Sequence, residues 1–190
     1  MSEQRKPVLT GGCQCGAVRY AVYAAPERAG ICHCRMCQKS VGGPFKAWAN
    51  VRMENFAWTR GAPGTFRSSS AAMRGFCPQC GTPLYFAYVK RPGSISLTIG
   101  SLDTPEAVTL SQVDGIEGRW ASFDPATLAA LPARETGAAG APENLARITS
   151  FQHPDHDTPA DCDGSASADH GLEHLQGRWN RGGFRNGHEL

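Results

Sequence analysis

The first 134 residues contain a single histidine, His33; the other five of the chain's six lie beyond them. A metal centre built on several imidazoles is thereby excluded from that stretch. Long apolar runs are missing too. No segment reaches the about 18 apolar residues in a row that a membrane helix needs, and the opening Met-Ser-Glu-Gln-Arg-Lys-Pro carries no signal-peptide core. A cytoplasmic protein without a membrane partner is expected. The closing His188-Glu189-Leu190 lacks the aspartate of a retrieval tag, and no solenoid-type repeat is present. Residues 135–190 are poor in core formers, with only seven Leu, Ile, Val or Phe. That is below what a packed core requires. They are expected to form a low-complexity, largely disordered tail behind a folded domain at 1–134.

Charge divides the chain at the same place. Residues 1–134 hold 15 Lys plus Arg against 8 Asp plus Glu, a net of +7, and residues 135–190 hold 4 against 9, a net of −5. A basic folded part favours anionic partners, small or polymeric, so nucleic acid stays open as a class. The tail carries Cys162 and, at helical i, i+4 spacing, His170 and His174. One histidine pair without further ligands reads as a short amphipathic turn rather than a metal site.

Cysteine dominates what is present. Seven of the eight cysteines fall into three clusters: Cys13-Gln14-Cys15-Gly16, Cys32-His33-Cys34-Arg35-Met36-Cys37 and Cys77-Pro78-Gln79-Cys80-Gly81. Cysteines one residue apart make a strained disulfide, whereas two thiolates from such a loop reach one small ion readily. A closed zinc site takes four protein ligands, and a chemically active one keeps three with the fourth position open. Seven ligands therefore read as four plus three. Cys77-Pro-Gln-Cys80-Gly81 has the form of a zinc knuckle, and Cys13 with Cys15, also followed by glycine, is its natural complement. Cys32, Cys34 and Cys37 remain as a self-contained group able to wrap one face of an ion. His33 lies between two of these cysteines, and in extended chain its ring points away from them, so packing or support of a ligand is expected.

Together these residues resemble the glutathione-dependent formaldehyde-activating enzymes, whose domain is shared with centromere protein V. The likeness runs from about Val8 to about Asp124 and rests on the three clusters, on Gly43-Pro44-Phe45-Lys46-Ala47-Trp48, on Arg74-Gly75-Phe76 before the knuckle, and on Gly100-Ser101-Leu102-Asp103-Thr104-Pro105. The family's closing proline-tryptophan and acidic segment is only partly matched, at Arg119-Trp120. The resemblance implies a structural zinc on Cys13, Cys15, Cys77 and Cys80 and a catalytic zinc on Cys32, Cys34 and Cys37, two Zn2+ per chain. It implies a carbon-sulfur lyase related to S-(hydroxymethyl)glutathione synthase, with glutathione as co-substrate and formaldehyde or a related aldehyde as partner. It also leaves an alternative, a non-catalytic zinc module that binds nucleic acid or protein.

A mainly β fold is expected. Segments 17–23, 45–51, 65–69, 83–89 and 94–99 alternate, with Gly and Pro at the joints. The resemblance implies a β-tent of several small antiparallel sheets with zinc knuckles. A helical turn is expected over 34–40, where Cys37 falls three residues after Cys34, and a closing helix over 125–131 after Asp124-Pro125. Arg35 and Lys39 flank the open group in sequence and are candidates for substrate carboxylates. Phe45 and Trp48 have opposite strand parity, so at most one of them lines the site. Asp103 precedes Thr-Pro and reads as a turn former more than as an acid or base.

Overall fold

The computed structural model describes residues 5–133 and 152–158. The chain is mainly β, arranged as two sheets. The smaller sheet has the order β1 (Leu9–Gly12), β2 (Arg19–Val22), β5 (Phe56–Arg60) and is antiparallel throughout. The larger has seven strands. Its order is β10 (Gln112–Asp114), β3 (Arg28–Cys32), β4 (Lys46–Arg52), β9 (Ser94–Thr98), β8 (Pro83–Tyr88), β7 (Ala72–Phe76), β6 (Gly64–Arg67). All its pairs are antiparallel except β10 on β3. Among the described residues two short α-helices accompany the sheets, α1 (Arg35–Val41) and α2 (Pro125–Ala129).

The core lies between the sheets. Strand β2 is buried along its whole length because β1 and β5 flank it. Phe56 and Trp58, two apart on β5 and so on one face, pack edge to face at 4.9 Å, with the Tyr20 ring 5.6 and 5.9 Å from them. The Tyr20 hydroxyl meets Ser101 Oγ at 2.7 Å, which pairs a polar atom that would otherwise be buried alone. From the facing sheet, Val51, Leu84, Ile95 and Leu97 close the same core.

Helix α2 starts where the sequence marks it. Asp124 accepts hydrogen bonds from the amides of Ala126 and Thr127, and Pro125 occupies the first position, where no amide is needed. It ends at Ala129 rather than running on to residue 131. Part of the expected tail also has a place on the core. The His153 amide donates to the Gln14 carbonyl at 2.7 Å, and Asp157 pairs with Arg19. Cys162, His170, His174, Trp179 and Phe184 lie outside the described residues.

Candidate active site

Two groups of sulfurs assemble as the spacing predicts. Cys13, Cys15, Cys77 and Cys80 form one, Cys32, Cys34 and Cys37 the other, and within each group the Sγ atoms all lie within 4.8 Å of one another. Cys13 to Cys15 is 3.5 Å and Cys15 to Cys77 is 3.8 Å. Sulfurs at tetrahedral corners, with metal-sulfur bonds of about 2.3 Å, stand roughly 3.8 Å apart, so the spacing fits a zinc-sized ion. All seven are free thiols.

The four-sulfur group joins the start of the chain to the knuckle before β8. Gly16 and Gly81 follow the second cysteine of their loops with φ of +75° and +77°, which a side chain would strain. The amide of Val18 donates to Cys13 Sγ and that of Gln79 to Cys77 Sγ, so backbone groups stabilise sulfur charge. Burial pushes the Cys77 thiol up to about 11. Burial acts on Cys80 too, but hydrogen bonds from Thr82 and Cys15 outweigh it and bring that thiol down to about 6.

Asp103 belongs to this end of the molecule. Arg19 grips it with two bonds, of 2.8 and 2.5 Å, and the Thr10 hydroxyl donates to it at 2.5 Å. Burial would raise its carboxyl, yet these donors outweigh burial and hold it below the ordinary value. It is a structural anchor.

The three-sulfur group is built where β3 runs into α1. Cys32 ends the strand, Cys34 caps the helix and Cys37 sits in its first turn. Burial would raise the Cys34 thiol, but the amides of Cys37 and Met36 and the neighbouring sulfurs bring it below its usual value. Burial drives Cys32 the opposite way, up to about 12. A cation in place of the protons would relieve this crowding of sulfurs. The His33 amide bonds the Asp114 carbonyl of β10, and its buried ring packs on Phe45 with centroids 5.6 Å apart. It is not among the clustered ligands. Gln38 fixes the helix from behind, donating to the Gly118 carbonyl at 2.7 Å and accepting from Trp120 Nε1 at 3.2 Å.

The three sulfurs open into a cavity of about 520 Å³. Its other walls carry the aromatic rings of Trp48, Phe86 and Tyr88 and the cations of Arg28, Lys46 and Arg74. Lys46 and Arg74 are 4% and 9% exposed. Burial, and then the charge of Arg74, push the Lys46 amine down to about 8 against the pull of Cys37 and Cys32. Among the sequence candidates, Trp48 lines the cavity and Phe45, of opposite parity, does not. Arg35 and Lys39 lie exposed on α1 and do not line it, because the buried face of that helix is given to Gln38. Lys46 and Arg74 are cavity residues that sequence spacing alone does not mark, although both sit in motifs that carry the family resemblance. The available signal was a charged residue at an inward-facing strand position.

The chain is similar to known proteins. An uncharacterized lyase of Schizosaccharomyces pombe is 34% identical over 82 residues, a match spanning 43% of this chain and 59% of the relative's length. A crystal structure of a Rhodobacter sphaeroides protein is 24% identical, aligning 56% of this chain with 98% of that one at a TM-score of 0.44. The family model of the glutathione-dependent formaldehyde-activating enzymes matches residues 8–113, a stretch that holds all seven clustered cysteines and the strands bearing the cavity's cations. The chain belongs to the glutathione-dependent formaldehyde-activating enzyme family.

Proposed function

We propose that the chain is a zinc-dependent carbon-sulfur lyase that interconverts glutathione and formaldehyde with S-hydroxymethylglutathione, using the cavity at Cys32, Cys34 and Cys37. One observation carries the reading: three clustered sulfurs, too few to close a tetrahedron, face a cavity whose other walls include three cations and three aromatic rings, with Asp114 the one carboxylate among the described lining residues. A zinc ion held by these three cysteines would lower the pKa of a fourth, incoming thiol and hold it as a thiolate at neutral pH. The four cysteines 13, 15, 77 and 80 would hold the second, structural zinc.

The chain's own residues do the binding and orienting. Glutathione carries two carboxylates, and Arg28 and Lys46 offer charge-assisted hydrogen bonds to them from the cavity walls. The Trp48 ring supplies an apolar face for the tripeptide's stem. In the forward direction the thiol gives up its proton to water, a carbon-sulfur bond forms at the aldehyde carbon, the carbonyl π pair moves to oxygen, and that oxygen takes a proton back from water. In reverse the same bond breaks. With both reactants held in register, the gain is chiefly in orientation. Seven free thiols suit a reducing compartment such as the cytosol.

The test is exchange spectroscopy of glutathione with formaldehyde, which separates catalysis from the spontaneous reaction. The intact protein should accelerate exchange, and Cys34→Ser, with its fold retained, should not. Absence of acceleration combined with salt-sensitive DNA binding would replace this reading with a nucleic-acid-binding zinc module.

A further inference from the structure

Arg74 sits on β7 directly opposite Phe86 of β8, and its guanidinium lies 5.1 Å from that ring's centre. One nitrogen donates to Ser40 Oγ at 2.9 Å and the other to Cys37 Sγ at 3.6 Å. Ser40 Oγ in turn donates to the Cys37 carbonyl at 2.8 Å, so hydroxyl and guanidinium hold the same turn of α1. Arg74 is 9% exposed, and no described carboxylate lies within ion-pair distance of it. A buried cation without a counter-ion is strongly unfavourable. The sulfur it touches is the available anion.

Three thiolates on a divalent ion leave a net charge of −1, which repels an arriving thiolate. A guanidinium bonded to one of those sulfurs cancels that charge and withdraws electron density from the sulfur. We propose that Arg74 is a positioning residue that serves as the counter-ion of the Cys37 sulfur and keeps the open coordination position receptive to an anionic thiol. The proposal rests on the reading of Cys32, Cys34 and Cys37 as a metal site. It adds a residue from a strand of the larger sheet that lies outside the ligand loop.

The test uses protein that keeps zinc in the four-sulfur group and carries cobalt in the three-sulfur group. The sulfur-to-cobalt charge-transfer band reports electron density on the sulfurs without any turnover. In Arg74→Gln the band should move to lower energy, and glutathione should bind that cobalt roughly tenfold more weakly, the worth of one charge-assisted hydrogen bond. Arg91→Gln, which removes an arginine stacked on Tyr88 away from the sulfurs, should leave the band in place. If Arg74→Gln does not fold, Phe86→Leu removes the ring beneath the guanidinium but keeps its charge, and should shift the band the same way by less. An unmoved band in a folded variant overturns the proposal. A wild-type protein whose three-sulfur group takes up no cobalt overturns the metal-site reading beneath it, a separate result.

Discussion

At the scale of single residues, Arg19 and Asp103 show how charge is tolerated in this core. Arg19 is almost wholly buried, and its fork meets the Asp103 carboxylate at two points while Thr10 fills a further acceptor site. Asp103→Asn leaves the buried guanidinium with Asp157 as a carboxylate partner, so it should cost about 2 kcal/mol, the worth of a hydrogen bond between charged groups, read from urea unfolding at pH 7. The folded carboxyl titrates below its unfolded value of about 3.9. Its stabilisation is therefore complete above that value and is lost as pH falls through the lower, folded value. The gap in stability between wild type and Asp103→Asn should stay constant near neutrality and close below about pH 3.9. A gap that persists in acid would mean shape, not charge, holds the pair.

At the scale of elements, the ligand loops set the order of importance among the cysteines. Cys13 and Cys77 come from segments on either side of the core, so an ion between them contributes directly to the fold. Cys32, Cys34 and Cys37 lie in one loop and tie nothing distant together. Cys13→Ser or Cys77→Ser should abolish cooperative melting, whereas Cys34→Ser should keep the far-ultraviolet circular dichroism and bind one zinc per chain instead of two, by elemental analysis. The reverse ranking would exchange the two sites.

Legibility in the sequence follows from the same elements. Alternation marks β4 and β9 within a residue at each end, because those strands separate the core from a different environment. Strands β3, β5 and β7 are harder to see. Strand β7 reads Ala-Met-Arg-Gly-Phe, and a buried arginine followed by a glycine breaks the alternation. The pattern fails at Arg74 because that side chain serves the sulfurs instead of the apolar core. The two cysteine groups were legible because spacing along their loops marks them. The cavity's cations were not, since they come together only through pairing of distant strands, and neighbours of the ligands in sequence, Arg35 and Lys39, are turned outward by the helix.

At the scale of the whole molecule, the acidic tail and the basic domain are joined at one described place. Asp157 reaches Arg19 at 2.5 Å, and the His153 ring lies against Gly16, where a Cβ would stand 2.3 Å from a ring carbon. We propose a folded unit at 1–134, and truncation after it should leave that unit soluble and loaded with two zincs. It should be less stable by about 1 kcal/mol, since Asp157 is partly exposed and water screens the lost pair. Thermal melting of the full and shortened chains checks this. Loss of both zincs on truncation would assign the tail a share in holding the knuckle.

Among the described residues the single parallel pairing, β10 on β3, bears on how the protein is made. It brings Gln112 beside Gly30, and the amide of His33, inside the ligand loop, is tied down only when Asp114 arrives. The other centre waits likewise, because Cys13 and Cys15 have no partners until Cys77 and Cys80 follow. A chain leaving the ribosome from its N-terminus thus exposes five thiols before the segment that completes the four-sulfur group has been synthesised. The four-sulfur group is finished late, by contacts distant along the chain, and the three-sulfur loop gains its backbone tie to β10 later still. Oxidation during synthesis is then the hazard this topology creates.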